Sequence, residues 1–326
     1  MASNTTINIG REIAENSINT RTVKKRHPLV KSVRKYWDLY LIFIPVVAYF
    51  IIFKYIPMYG VQIAFRDFSP SSGIWHSDWV WFENFERFLR SYQFTNTLKN
   101  TVLLSFYQLI ASFPAPVILA LLINEMGNKQ FKSLLQTITY APHFLSTVVL
   151  VGMLEAFLAP GSGVVNNVIQ SMGGTPVSFM AEPSAFRHVY VWSEVWKNAG
   201  WGSIIYLSTL TSIDIHLYEA ATIDGANRWG KLRHITLPLL IPTAVIILIM
   251  DSGKVMNLGF EKAFLMQNSL NLNVSEVIST YVYKMGIQGM QYSYSTAVDL
   301  FNSVINLILL LSVNKISKSM TQSSLW

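Results

Sequence analysis

Between Thr101 and Ile123 the chain runs for 23 residues without a charged side chain. A bilayer asks for such a segment. Its hydrocarbon slab of ~30 Å takes about 20 apolar residues of helix, with every backbone polar group bonded internally. Five further runs approach that length: Leu39–Ile56, Leu134–Ala159, Val189–Leu210, Leu237–Phe260 and Tyr294–Val313. Pro45 and Lys54 interrupt the first, and Lys54 sits near enough to its end to snorkel. Pro114 and Pro116 predict a kink in the uncharged second run. Composition agrees: 13% of residues are charged, where soluble domains carry about 25%. Mean hydropathy is +0.35. The expected fold is an all-α membrane protein with six transmembrane helices.

Basic residues orient it. The net charge is +7, and Arg11, Arg21, Lys24, Lys25, Arg26, Lys31, Arg34 and Lys35 all precede the first apolar run. Lys129 and Lys132 fall between the second and third runs. Arg228, Lys231 and Arg233 fall between the fourth and fifth, and Lys315 and Lys318 follow the sixth. Excess Lys and Arg mark the cytoplasmic side, so both termini are expected inside. Residues 1–37 read as a cytoplasmic tail, 38–318 as the transmembrane domain and 319–326 as a short cytoplasmic end. The tail is too long and polar for a cleaved signal peptide, and no small-x-small site follows the apolar run. It also lacks the interleaved aromatics of a nucleic-acid surface. The outer segment 57–97 carries Trp75, Trp79 and Trp81 beside Phe82, Phe85 and Phe88. An interfacial aromatic belt and a docking surface for an outside partner both fit it.

Catalytic signatures are missing. With no cysteine, disulfides and thiolate metal sites are excluded. There is no G-x-x-x-x-G-K-[ST] phosphate loop, no H-E-x-x-H and no G-x-S-x-G elbow. His27, His76, His143, His188, His216 and His234 never fall three or four apart, so a helical metal pair is not expected. The expectation is a non-catalytic chain with no metal or cofactor of its own.

The longest cytoplasmic loop, 211–238, has a readable local structure. Asp214 is placed to cap a helix beginning at Ile215. Leu217, Ala220, Ala221 and Asp224 then share one face, with Tyr218 beside them. Gly225 stands where the helix must turn through a left-handed residue. A second short helix should follow, and Pro238 suits the first turn of the fifth span. Two readings fit: an amphipathic connector packed on its own bundle, or a helix–turn–helix offering small alanines and the Glu219 charge to another protein.

Glu219-Ala220-Ala221, three residues, Gly225, nine residues, Ile235-Thr236-Leu237-Pro238 resembles the EAA loop of permease subunits in bacterial binding-protein-dependent ABC importers. Further runs resemble the oligosaccharide and polysaccharide branch, which includes the alginate importer permease and permeases for pectin fragments. They include Phe82-Glu-Asn-Phe, Asn100-Thr-Val-Leu-Leu-Ser, Gln136-Thr-Ile-Thr-Tyr-Ala-Pro-His-Phe, Pro160-Gly-Ser-Gly, Gly259-Phe-Glu-Lys and Tyr292-Ser-Tyr-Ser-Thr-Ala. The resemblance implies a type I importer permease fold in the bacterial inner membrane, with the first span peripheral. It implies a second, related permease subunit, two ATPase subunits carrying ATP and Mg, an extracytoplasmic solute-binding protein and a saccharide substrate. Glu219, Ala220, Ala221, Gly225, Leu237 and Pro238 would serve ATPase coupling. An ion-driven secondary sugar transporter or a membrane scaffold is the alternative.

The remaining candidates are charges inside the apolar runs: Glu194, Lys197, Asp251, Lys254 and Asp299. Each costs about 2.5–3.5 kcal/mol at a bilayer centre and must face a partner or a wet cavity. Glu194 with Lys197, and Asp251 with Lys254, have i, i+3 spacing and so are placed to neutralise each other on one helix face. Alternatively, Lys197 or Lys254 faces a translocation path and meets the carboxylates of an acidic saccharide, with Trp192 and Trp196 stacking on sugar rings.

Overall fold

The computed structural model describes residues 35–321, with side chains to residue 319. The basic tail through residue 34 and the end beyond residue 321 lie outside the described residues. The chain divides into two compact units, one ending at Gly60 and one beginning at Val61.

The first unit is a helix, α1 (Trp37–Phe50), prolonged by a π turn (Ile51–Tyr55) and Ile56–Met58. No side chain of these three elements is buried, and Ile42 and Phe53 are 72% and 62% exposed. Exposed apolar side chains all along a helix suit contact with lipid.

The second unit is helical throughout, with one isolated bridge between Arg66 and Trp79 among the described residues. That bridge organises the Trp-rich segment. Arg66 is buried, donates to the Ser77 carbonyl at 2.8 Å, and its guanidinium lies 4.2 Å from the Trp79 ring. Trp75 and Trp81 stay exposed, whereas Phe88 of α2 (Glu83–Leu89) enters the core against Tyr281 and Tyr294.

The uncharged run becomes α3 (Tyr92–Ser112) and α4 (Pro114–Asn124). They part at Phe113, where Pro114 and Pro116 supply no N–H to the ladder. The run expected as the third span is bent. α5 (Lys129–Tyr140) and α6 (Thr147–Leu158) meet at 102°. Pro142 sits in a 3₁₀ turn between them, Leu145 and Ser146 are extended, and Ser146 caps α6 by accepting from Val149 N–H. Each half has 12 residues, or about 18 Å, and is too short to cross alone.

α7 (Pro183–Thr211) is 29 residues long and packs along α3, α4 and α5. Its approach to α5 depends on Gly200: a Cβ there would collide with the Thr139 carbonyl oxygen. After α8 (Ile215–Ile223) comes a short turn, Arg228–Lys231. This runs through a π turn, Leu232–Thr236, straight into α9 (Leu237–Ser252). The fifth span therefore starts earlier than the apolar run suggests and ends at Ser252, not Phe260. Turns at Gly253–Asn257 lead to α10 (Phe260–Met266). α11 (Ile278–Tyr283) and α12 (Tyr292–Thr321) complete the unit.

By length and composition four stretches can cross a bilayer: Trp37–Phe65, Tyr92–Asn124, Arg228–Ser252 and Tyr292–Ser319. The bent pair makes a fifth if counted as one span. The expected fourth span, α7, is long enough, but its polar residues keep its composition short of the others.

Candidate functional site

The loop at 211–238 is built from caps. Asp214 accepts from His216 N–H at 3.0 Å and starts α8. At the far end Gly225 adopts φ +79°. Its N–H reaches the Thr222 carbonyl at 3.1 Å, and Ala226 N–H reaches Ala221 at 2.8 Å. This paired closure satisfies carbonyls that a helix end otherwise leaves open. Asn227 then accepts from Gly230 N–H at 2.8 Å and starts the next turn. The return leg is tied to α8 by Tyr218 to Thr236 at 3.0 Å and by Lys231 Nζ donating to Thr222 at 2.7 Å.

Glu219 and Ala220 are exposed, Ala221 is half-buried, and Gly225 is exposed. Glu219 Oε2 meets His216 Nδ1 at 3.0 Å on the surface. Leu237 and Pro238 do not open a new helix; they continue one. The π turn ends at Thr236, just before Pro238 would interrupt the ladder. Helix is therefore unbroken from Arg228 to Ser252, 25 residues, or about 37 Å.

At the other end of that helix lies a polar cavity of about 260 Å³, far larger than a single water needs. Glu194 and Asn198 of α7, Asp251 of α9 and Lys254 just beyond it line the cavity, with Ser105, Gln108 and Ser112 of α3 facing them. A second cavity of about 250 Å³ shares Ser112, Asn198 and Asp251 and continues toward Tyr206 and Ile247.

The ionic pairing differs from the i, i+3 expectation. Glu194 Oε2 accepts from Lys262 Nζ of α10 at 2.7 Å. Lys262 also donates to the Tyr190 carbonyl at 2.9 Å and lies 4.7 Å from the Tyr190 ring. The other Glu194 oxygen accepts from Asn198 Nδ2 at 2.6 Å, and Asn198 Oδ1 meets His143 Nδ1 at 2.9 Å. His143 in turn stacks on Trp201 at 4.6 Å. A side-chain chain thus joins α10, α7 and the α5–α6 bend. Lys197 forms no ion pair with Glu194. Lys254 and Asp251 form no salt bridge either: Lys254 has left the helix, its backbone N–H reaches the Asp251 carbonyl at 3.0 Å, and its ammonium acts on the carboxylate only from beyond contact distance.

Asp299 is exposed on α12 and lines neither polar cavity. Trp192 and Trp196 lie in a separate apolar groove of about 350 Å³ beside Leu154 and Phe157 of α6. Trp192 Nε1 donates to Tyr107 at 2.9 Å. Sequence reasoning passed over Lys262, which lies 68 residues from its partner, and the α3 side chains. The available signal was the one amide of the uncharged run, Gln108, spaced three and four residues from Ser105 and Ser112.

Residues 92–322 match the family model described as binding-protein-dependent transport system inner membrane component. Protein LplB of Bacillus subtilis is 45% identical over 288 residues, 88% of this chain and 91% of the relative. The polygalacturonan/rhamnogalacturonan transport system permease protein YteP of the same species is 39% identical over 303 residues, 93% and 94% of the two chains. Among solved structures, a chain of a bacterial ABC transporter involved in the import of the acidic polysaccharide alginate superposes with a TM-score of 0.83 at 40% identity. It covers 90% of this chain and 99% of that one. A chain of the bacterial alginate ABC transporter in complex with alginate pentasaccharide-bound periplasmic protein gives a TM-score of 0.84 at 38% identity, covering 91% and 100%. The chain belongs to the family of inner membrane components of binding-protein-dependent transport systems, with the permease fold of ABC importers.

Proposed function

We propose that this chain is a permease subunit of an ATP-driven importer of oligo- or polysaccharides, with acidic glycans such as alginate or pectin fragments as its substrate class. The observation that carries the reading is one continuous helix with an exposed, capped loop at one end and a polar cavity at the other. α8 would be the coupling helix, docking Glu219, Ala220 and Ala221 on an ATPase subunit while Gly225 holds the turn. A rigid rod of about 37 Å would carry movement of that loop to Asp251 and Lys254.

The assembly would comprise a second, homologous permease, two ATPases carrying ATP and Mg, and an extracytoplasmic solute-binding protein. This chain would line half of the path, crossing six times with α7 and the bent pair each counted as a span. Both termini would be cytoplasmic. Alternating access would come from rocking of the helices around the cavity. Lys254, which has no ion-pair partner among the described residues, would meet substrate carboxylates. The high identity to permeases of saccharide systems supports the substrate class.

The test is reconstitution of the co-purified assembly in proteoliposomes, with uptake of oligogalacturonate and alginate oligomers measured with and without ATP. ATP-dependent uptake is expected. Uptake driven by a proton or sodium gradient without an ATPase, or binding without flux, would refute the reading.

A further inference from the structure

The cavity has one wall that neither the family nor the charge pattern accounts for. Three of the eight buried side-chain atoms left without a hydrogen-bond partner among the described residues are Ser105 Oγ, Gln108 Oε1 and Ser112 Oγ. Spacings of three and four residues put them on one face of α3, and all three residues line the polar cavity. Ser105 is 1% exposed.

Thr97 of the same helix also has a buried hydroxyl without a partner, but it does not line the cavity. A buried helical hydroxyl ordinarily donates to the carbonyl one turn back. Elsewhere in this chain Thr101, Ser193, Ser203 and Ser252 do so, at 2.7, 2.5, 2.6 and 2.7 Å. Ser105 and Ser112 make no such bond. Each orphan penalises the conformation that buries it, because the lost hydration is not replaced. Three on one cavity wall set a row of uncommitted donors and acceptors along a single helix face.

Charge narrows the partner. Glu194 is already compensated by Lys262, and Asp251 and Lys254 bring one charge of each sign to the same cavity. The α3 wall itself is neutral, offering two hydroxyls that donate or accept and an amide that does both. A sugar ring, with adjacent hydroxyls that also donate and accept, fits this set.

We propose that Ser105, Gln108 and Ser112 form a hydroxyl-reading row. It hydrogen-bonds the ring hydroxyls of a passing saccharide in the state where α3 and α7 part, whatever the charge on that ring. The proposal rests on the saccharide-permease reading above and adds to it a neutral contact set on a different helix from the charged candidates.

The experiment measures uptake by the reconstituted importer carrying S105A, S112A or Q108L. Its probes are an oligogalacturonate and the methyl-esterified, uncharged form of the same length. Loss of one hydrogen bond of ordinary strength should raise KM about five-fold for each serine variant. Gln108→Leu should raise it about 25-fold, since the amide makes two contacts. Both probes should be affected alike. Thermal stability of S105A and S112A should be unchanged or higher, because each removes an unsatisfied buried group. Normal KM in S105A and Q108L, with wild-type uptake intact, would overturn the row alone. A fall in Tm that tracks the fall in uptake would also overturn it, since the hydroxyls would then be serving the fold. Absence of saccharide uptake by the wild-type importer would remove the functional reading and the row with it.

Discussion

Lys262→Met isolates the energetics of the Glu194 pair. The Lys262 side chain is 4% exposed and the Glu194 side chain 25%, so neither charge is well hydrated. Removing one partner of such a pair costs about 3–5 kcal/mol, chiefly because the other charge stays behind unpaired. Glu194 keeps its bond from Asn198 at 2.6 Å and some solvent, which favours the low end. About 3 kcal/mol corresponds to roughly 10²-fold in the folded-to-unfolded ratio. In a Glu194→Gln background Lys262 is itself a buried charge without its counter-ion, so relief of that charge offsets loss of the Tyr190 contacts and the same substitution costs at most about 1 kcal/mol. The coupling is therefore at least about 2 kcal/mol, within the range seen for contacting residues. Graded unfolding of the four proteins in detergent, followed by tryptophan fluorescence, measures it. K262M/E194Q should be more stable than K262M alone. Additive effects, with coupling below about 0.5 kcal/mol, would refute the pair as an energetic unit.

Three further outcomes follow from named contacts. Gly200→Ala should destabilise by about 1–3 kcal/mol, because its methyl meets the Thr139 carbonyl; an unchanged melting curve would mean α5 and α7 separate freely. Gly225→Val, at φ +79°, should cost about 1–2 kcal/mol locally and, like Glu219→Ala, reach the membrane yet lose saccharide-stimulated ATP hydrolysis in the assembly. Normal stimulation in both would contradict a coupling role for α8. Lys254→Gln should impair uptake of an acidic oligosaccharide while sparing its neutral ester, at equal membrane abundance; equal loss for both, with lowered stability, would mean that the lysine only balances Asp251.

Local features were legible in the sequence because their causes are local. The uncharged run at 101–123 is helix with a break where its prolines lie, and Asp214 and Gly225 bound α8 through side-chain and φ preferences that act within a turn. The bend at 141–146 had its signal in Pro142, but run length hid it: the end of an amphipathic half-helix and a following apolar one read as one long helix. The continuity of Arg228–Ser252 was equally hidden, since Pro238 reads as a start and only the π turn lets helix pass through it. Least legible was the cavity. Lys262 stands in what reads as an outer loop, and nothing within one turn of Glu194 points to it. Ser105 and Ser112 read as ordinary helix residues until the structure leaves their hydroxyls unbonded.

The π turn at Leu232–Thr236 carries a geometrical debt for everything after it. Such a turn accommodates one residue more than the α-helical turn it replaces. Each residue in an α-helix advances the azimuth by about 100°. Which way Asp251 points is thus set by a surplus residue four turns upstream that touches nothing in the cavity. Deleting one residue there would restore regular α-helix and swing the downstream stripe by more than a quarter turn, carrying Asp251 away from Glu194 and Asn198. A single-residue deletion in 232–236 should therefore abolish transport even though every cavity residue is retained, whereas Arg233→Ala, at an exposed position of the same turn, should not.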